Sequence, residues 1–457
     1  MSVRLAALAQ GEPVRLAVTL VVFALALIYL PDIGHGFLRD DFMWVRAARV
    51  ETSSDLRRIF TENVGFYRPL VTTTFAVNRA MFGLRPLPYA LTNFALLLVC
   101  MWLIVRVAGS VGLGPPFALT AAALWSLNFH GVNMALLWIS GRTALLLCAF
   151  SLAALAASLR GRWWWTAGWS LLAMLSKEEA IVLPFVLVCW RWYLSEDRRL
   201  SSILDISRKA LPVFGALAAY LFMRGASGAF GPLNAPDYYR FTFEPSSVAR
   251  NVAEYVDRSC AIVAIVLLLT LVLVQTRPTV SRQERRTLLL CALWLISGFA
   301  LTVFLPIRSS LYALFPSIGS CLAGGVLMQA FHRVAPDRVR MAWLALVVLA
   351  FALVPVYRAR NDRWVAPADL SRRLVADLRT VGASIPDNTR LLAVDEDASD
   401  GGLRSVFDGL FADAVLLYVG RGVTGQLVDP ATGAIDAHDV VLRLRSGALV
   451  AQNSWIR

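Results

Sequence analysis

Eleven apolar segments, separated by polar loops, constrain the fold of this 457-residue chain more than any other feature. An α-helix needs about 20 predominantly apolar residues to cross the hydrocarbon core of a bilayer. The segments therefore predict an all-α polytopic membrane protein with about 11 transmembrane helices. They span residues 14–30, 87–107, 116–137, 144–157, 163–175, 180–194, 210–223, 261–274, 288–305, 310–331 and 341–357.

The composition agrees with a membrane protein and excludes other classes. Hydrophobic residues make up 58% of the chain and charged residues 16%, whereas soluble domains carry roughly 25% charged residues. The net charge is +13, but the basic residues lie between apolar segments rather than on one polar face, so no nucleic-acid partner is expected. The six cysteines lie in or beside apolar segments without metal-ligand spacing, and we expect them to be small core residues.

The basic residues also indicate how the chain is oriented. Every second loop carries Arg or Lys, as cytoplasmic loops do. This pattern places the N-terminus, with a short lead over residues 1–13, in the cytoplasm, and the C-terminus outside it, in a plasma or inner membrane. The residues concerned are Arg106, Arg160, Arg162, Arg198, Arg199, Arg208, Lys209, Arg277, Arg282, Arg285, Arg286, Arg333, Arg338 and Arg340.

Two outer loops are long. In the first, residues 32–86, apolar residues recur at helical spacing over 55–59 and 70–82, which predicts helices lying along the membrane interface. The second, residues 224–259, contains Gly-Pro and Ala-Pro pairs and is predicted to be a mobile loop that covers a site.

The composition changes after residue 357, which predicts two domains. Residues 1–357 would form the transmembrane domain and residues 358–457 a small extracytoplasmic α/β domain. Within the second, the patterns predict helices over 370–381 and 406–418, a strand over 390–394, and a hairpin of strands 440–444 and 448–451.

Polar residues gather at the outer ends of the predicted helices. Adjacent carboxylates close to a membrane face, as at Asp40 and Asp41, are uncommon and often functional. Carboxylates can accept a hydroxyl proton, while Arg and Lys bind phosphate oxygens, so this face is suited to chemistry on a lipid-linked phosphosugar. The other members on the same side are Tyr67, Arg68, His130, Asn133, Arg142, Lys177, Glu178, Glu179, Arg308 and Tyr312.

Four motifs in order carry a family resemblance. They are Leu38-Arg39-Asp40-Asp41-Phe42 with Tyr67-Arg68-Pro69-Leu70 and Asn78, then Trp138-Ile139-Ser140-Gly141-Arg142, then Leu175-Ser176-Lys177-Glu178, then Leu311-Tyr312 with Pro316-Ser317-Ile318-Gly319. The series resembles the GT-C glycosyltransferases and, within them, the protein O-mannosyltransferase-like branch that uses dolichyl- or polyprenyl-phosphate mannose. The resemblance covers residues 37–321, most of the membrane part.

The resemblance implies an inverting transferase that moves a sugar from a polyprenyl-phosphate donor to a protein, lipid or glycan acceptor on the outer face. It implies that Asp40 is the general base and that Asp41 orients the acceptor or a divalent metal ion, with no other cofactor. It assigns the donor phosphate to Arg68, Arg142, Lys177 and Arg308, and further substrate contacts to Tyr67, His130, Glu178 and Tyr312.

Other interpretations of these residues stay open. The acidic pair can cap a helix, Arg142 and Lys177 can be interfacial anchors, and Glu178 can simply pair with Lys177. A lipid-linked oligosaccharide ligase or a flippase-type glycolipid-handling protein also uses outer-face arginines, although it needs no acidic pair after its first helix. A transporter is disfavoured because no matching pair of interrupted segments is evident.

Overall fold

The structure, a computed structural model, describes residues 16, 19–63, 66–195, 199–230, 239–394, 402–420, 422–428, 436 and 439–451. The predicted N-terminal lead, Arg198 and residues 231–238 of the second outer loop lie outside the described residues. The α-helices are α1 Thr19–Asp32 (its last turn 3-10), α2 Asp40–Ala47, α3 Ser53–Thr61, α4 Pro69–Phe82, α5 Pro86–Ser110, α6 Pro115–Ser126, α7 Phe129–Leu137, α8 Arg142–Leu159, α9 Trp163–Ser176, α10 Leu183–Leu194, α11 Leu200–Lys209, α12 Leu211–Ala226, α13 Pro245–Val274, α14 Arg282–Gly298, α15 Ser317–Val334, α16 Pro336–Ala352, α17 Val354–Ser384, α18 Leu403–Phe407 and α19 Phe411–Tyr418.

Each of the eleven predicted segments is largely helical, so the polytopic helical architecture is confirmed. Among the described residues, three helices are long and apolar enough to span a membrane, or up to five if each bent pair is one span. The bent pairs are α11 with α12, at 55°, and α16 with α17, at 43°. Several other helices have 12–14 residues, about 18–21 Å at 1.5 Å per residue, which is less than the bilayer core of about 30 Å. The number of crossings therefore stays a prediction.

Three predicted boundaries were wrong. The segment predicted over 116–137 breaks between α6 and α7, and the one predicted from residue 310 begins only at Ser317 because Ser310–Ala313 is a 3-10 turn. Helix α13 begins at Pro245, inside the second predicted loop, since proline is well accepted in the first turn of a helix. The apolar pattern begins only after the charged residues near 258, whereas the helix already contains them.

The C-terminal part carries a four-stranded sheet beside the end of the 31-residue α17. The strands β1 Arg390–Val394, β2 Thr424–Val428, β3 Val440–Arg445 and β4 Ala448–Ala451 lie in the order β2-β1-β3-β4. Strand β1 is parallel to β2 and β3, and β4 is antiparallel to β3. The strand predicted over 390–394 and the hairpin are confirmed, and the helix predicted over 370–381 is the end of α17.

Two features of this part differ from the predictions. The helix predicted over 406–418 is two helices, α18 and α19, because the chain turns at Asp408, whose φ is +52°. Strand β2 was missed, since Thr-Gly-Gln-Leu-Val has no alternating apolar pattern.

The first outer loop and the C-terminal part share one hydrophobic core. The ring of Phe42 packs 5.4 Å from that of Phe407. The backbone N–H of Gly36 donates to the carbonyl of Ala368 at 3.2 Å, and a Cβ at position 36 would lie 2.5 Å from that oxygen, so only glycine permits this approach. The acidic pair therefore lies where the helical bundle, the outer loop and the C-terminal part meet.

Candidate active site

The backbone turn before α2 sets the direction of the acidic pair. Arg39 is the N-cap of α2 with φ of +50°, a conformation that costs a non-glycine residue about 1–3 kcal/mol. Its N–H donates to the carbonyl of Val406 at 2.8 Å and its Nε to that of Ser405 at 3.2 Å. These contacts with α18 hold the strained turn, and Asp40 and Asp41 follow it as the first two residues of α2.

Asp41 is completely buried and fully engaged. Its Oδ2 accepts from the N–H of Leu38 at 2.9 Å, and its Oδ1 accepts from the N–H of Ser140 at 2.7 Å and from the Ser140 hydroxyl. Burial raises the pKa of Asp41 to about 7, against the opposing effect of these hydrogen bonds. Asp41 therefore links the outer loop to the turn Ile139–Gly141, and this geometry leaves it poorly placed to orient an acceptor or a metal ion.

Metal ligands are sparse in the region. Among the residues that the structure describes, no group of three or more His, Cys, Asp or Glu side chains could hold a metal ion.

Asp40 differs from its neighbour. Its side chain is only partly exposed, yet the structure gives its carboxylate no hydrogen bond or ion pair with the described residues. Burial raises the pKa of Asp40, the nearby Arg68 lowers it, and the negative charge of Asp408 raises it. Of the two acids, Asp40 is thus the one whose oxygens can accept a proton from a ligand.

Arg68 is within electrostatic reach of Asp40 and has partners of its own. Its guanidinium forms two hydrogen bonds with Glu178, Nε to Oε2 at 3.1 Å and Nη2 to Oε1 at 2.6 Å, and lies 4.3 Å from the centre of the Phe66 ring. Burial alone would raise the pKa of Glu178, but the paired Arg68 outweighs it and lowers the pKa. Arg68 and Glu178 were predicted as separate phosphate and substrate contacts, and the structure joins them in one ion pair.

Arg142 is placed differently from its predicted role. It is 0% exposed, donates from Nε to Asn93 Oδ1 at 2.9 Å and from Nη2 to the Tyr89 carbonyl at 2.8 Å, and lies 4.4 Å from the Phe75 ring. A guanidinium enclosed in this way cannot reach a donor phosphate. It instead holds Asn93, whose amide donates to the carbonyl of Ile139 at 3.0 Å in the Ser140 turn. In the same turn, a Cβ on Gly141 would lie 2.6 Å from a backbone atom of α7.

Three further predicted contacts also have internal partners. Lys177 is 3% exposed, forms an ion pair with Glu179 and lies 4.6 Å from the Tyr312 ring, so it holds the turn that carries Tyr312 instead of facing a ligand. Tyr67 is 1% exposed, and its hydroxyl donates to the carbonyl of Phe60 at 3.0 Å. The phosphate role of Lys177 and the substrate role of Tyr67 thus lack an open approach in this geometry, whereas Tyr312 is partly exposed.

Arg308 belongs to a cluster that the sequence did not reveal. The carboxylate of Glu254 is 3.2 Å from Arg308 Nε, 3.2 Å from Arg250 Nε and 2.7 Å from Arg258 Nη2, while Arg258 Nη1 donates to the Arg308 carbonyl at 2.8 Å. Three guanidinium groups against one carboxylate leave excess positive charge on a partly exposed surface. The spacing of residues 250, 254 and 258, one helix face, was the available signal, but this stretch was taken for a loop.

His130 is near this arginine cluster. Its partly exposed ring is 4.1 Å from that of Phe129, on whose face Arg360 also lies at 4.6 Å. Arg258 and Arg360 are both within electrostatic reach of His130. His130 thus adjoins the arginine cluster, and Arg360 is a further cation that the sequence did not single out.

An apolar groove of about 470 Å³ begins directly after Glu178 and Glu179. It is bounded by the end of their 3-10 turn and by α10, α12 and α14. Its lining is almost entirely hydrocarbon, with Ile181, Phe185, Leu217, Leu221 and Ala300 among the residues that form it.

Comparison with known proteins shows a similarity of fold to solved structures. No family model matches the chain, and no curated protein matches it. The structure is similar to that of ArnT from Cupriavidus metallidurans bound to undecaprenyl phosphate, with a TM-score of 0.55 and 12% identity over 89% of this chain and 85% of that one. The apo state of the same ArnT matches with a TM-score of 0.53 and 13% identity over 92% and 86% of the two chains. This chain therefore has an ArnT-like, polytopic helical fold with a small C-terminal sheet.

Proposed function

We propose that this protein is a membrane glycosyltransferase that moves a sugar from a polyprenyl-phosphate-linked donor to an acceptor hydroxyl on the outer face of the membrane. The main observation behind the proposal is the difference in hydrogen bonding between Asp40 and Asp41. Asp41 is enclosed by three hydrogen-bond donors, whereas Asp40 has no hydrogen bond or ion pair with the described residues and is within electrostatic reach of Arg68. The likeness of the fold to a protein bound to undecaprenyl phosphate supports the class of donor.

In the proposed reaction Asp40 takes the proton of the acceptor hydroxyl. The acceptor oxygen forms a bond to the anomeric carbon while the bond from that carbon to the phosphate oxygen breaks, which inverts the configuration. The electron pair of the broken bond stays on the phosphate, so polyprenyl phosphate leaves with one more negative charge. A raised pKa suits Asp40 for this role, because it makes the carboxylate a stronger base.

The leaving phosphate needs cations, and the cluster around Glu254 supplies them. Arg142 and Lys177 are buried and engaged elsewhere, but Arg258 and Arg308 remain 18% and 28% exposed and share a single carboxylate. Preorganised positive charge at the position where negative charge develops lowers the barrier. We assign the donor phosphate to Arg258 and Arg308, and the prenyl chain to the apolar groove that begins beyond Glu179.

The orientation is part of the proposal. The alternating basic loops support a cytoplasmic N-terminus and an outer C-terminal part, with the division into domains at about residue 357. A reporter enzyme that works only outside the cytoplasm should be active when fused after Tyr357 and inactive when fused near Arg282. Activity of the second fusion alone would refute the outer-face placement of Asp40.

The motif resemblance supports a mannose-type donor, and a cellular experiment tests both reaction and sugar. Cells with the wild-type chain, with the Asp40→Asn chain or with neither are compared by mass spectrometry of glycans and polyprenyl-phosphate sugars. We expect only wild-type cells to carry one additional sugar on the acceptor, while the other two accumulate the donor. A ligase would instead transfer a preformed oligosaccharide, and an identical acceptor in all three strains would refute the transferase.

A further inference from the structure

A polar pocket of about 320 Å³ lies at the end of α2 farthest from Asp40. It is bounded by the C-terminal end of α2, by one side of α3 and by the start of α4. Arg46 and Ala47 lie six and seven residues after Asp40, so the pocket lies about 9–11 Å along the helix from it. Arg68 lines the pocket and is also within electrostatic reach of Asp40, so this residue relates the two places.

The charges of the pocket are balanced. Each of its four arginines has its own carboxylate: Arg46 pairs with Asp413, Arg49 with Glu51, Arg58 with Asp55 and Arg68 with Glu178. Glu62 adds a carboxylate without an ion-pair partner in the described part of the chain. The pocket therefore offers many hydrogen-bonding groups without net positive charge, and it disfavours an anion such as a phosphate.

The chemistry of this lining favours some classes of acceptor over others. A hydroxyl group both donates and accepts, so neighbouring hydroxyls can satisfy a carboxylate and a guanidinium side by side. A lipid chain would remove these charged groups from water without offering them any hydrogen bond in return, which is costly. An extended peptide binds through an open sheet edge or a long groove, whereas this pocket is a compact cavity between helices. A neutral, polyhydroxylated ring is the ligand that fits.

We propose that this pocket binds a neutral sugar unit of the acceptor, so that the acceptor is a glycan with at least one sugar beyond the one that reacts. The inference rests on the proposed function, because it assigns the pocket to the acceptor of that reaction. The reacting hydroxyl of the next sugar would then reach past Arg68 to Asp40.

The test measures binding apart from catalysis. The full chain carrying Asp40→Asn is reconstituted in nanodiscs and applied to one array of neutral oligosaccharides, Ser/Thr peptides and phosphorylated glycolipids. The same protein also carries Glu62→Gln or Thr72→Val, both in the pocket, or Leu56→Ala as a control on α3 outside it. Glu62 is exposed, so its substitution should not affect folding.

We expect neutral oligosaccharides to bind, the two pocket substitutions to weaken this binding about tenfold, and Leu56→Ala to leave it within twofold. Preference for peptides or phosphorylated glycolipids, absence of oligosaccharide binding, or binding by both pocket variants as tight as that of the Asp40→Asn parent would overturn the inference. The two proposals can fail separately. If glycans bind as expected but the protein with only Asp40→Asn turns over like wild type, the pocket assignment is supported and the proposed catalytic role of Asp40 is refuted.

Discussion

The replacement of Asp41 tests whether this acid supports the structure. In wild type, one carboxylate accepts from Leu38 N–H, Ser140 N–H and the Ser140 hydroxyl. In Asp41→Asn, the amide has one oxygen, so its NH2 group must face one of these donors. A lost hydrogen bond to a charged group costs about 1.5–3 kcal/mol. Asp41→Ala leaves two buried N–H groups unpaired at about 1–3 kcal/mol each, so about 2–6 kcal/mol in all.

The assay is thermal unfolding of the purified chain in nanodiscs, followed by tryptophan fluorescence. We expect the Tm to fall in the order wild type, Asp41→Asn, Asp41→Ala. Ser140→Ala is the matched control, because it removes only the hydroxyl bond and keeps the backbone one, and its Tm should stay closest to wild type. An Asp41→Ala protein with the same Tm as wild type would refute this interpretation of the contacts.

Asp41 also predicts a pH dependence of stability. Its pKa in the folded chain is raised to about 7, above its ordinary value, so the folded state holds the proton more tightly than the unfolded state. The stability from this difference is fully present below the ordinary pKa and is lost as the pH rises through about 7. The Tm advantage of wild type over Asp41→Asn should therefore be larger at pH 5 than at pH 8, and a constant difference would contradict the raised pKa.

Two further predictions concern the donor. Arg258→Ala and Arg308→Ala should each weaken binding of undecaprenyl phosphate about tenfold, since each removes a charged hydrogen-bond donor. Arg277→Ala, just beyond the C-terminal end of α13, should not weaken it. Equal affinity in all variants, measured by microscale thermophoresis, would remove the cluster from the donor site. Ala300→Trp should narrow the apolar groove and weaken binding of undecaprenyl phosphate more than that of farnesyl phosphate, because a long prenyl chain occupies more of the groove. Equal losses of affinity for both lipids would place the prenyl chain elsewhere.

The helices could be predicted because burial in a bilayer demands long apolar runs, and the basic loops mark their ends. One kind of wrong prediction arose where charged residues lie inside a helix. The first fifteen residues of α13 carry Arg250, Glu254 and Arg258, so hydropathy assigned them to a loop. The turn at Ser310–Ala313 was merged with α15 for the opposite reason, its apolar sequence.

Within the candidate site, the residue types were predictable but their partners were not. The sequence brings Arg68, Arg142, Lys177 and Arg308 to one side, yet it cannot say which guanidinium or ammonium is enclosed. That depends on long-range contacts such as Arg142 with Asn93 and Lys177 with Tyr312. The different settings of Asp40 and Asp41 likewise come from a turn held by α18, more than 360 residues away in the chain.

The most direct measurement compares turnover and donor binding of Asp40→Asn with wild type in nanodiscs. The amide keeps the shape of the side chain, and Asp40 has no hydrogen bond or ion pair with the described residues to lose, so the donor affinity and the Tm should stay near wild type. Without a general base, turnover should fall by about a hundredfold or more. Turnover near the wild-type rate, with donor binding intact, would show that Asp40 is not the base and would contradict the mechanism.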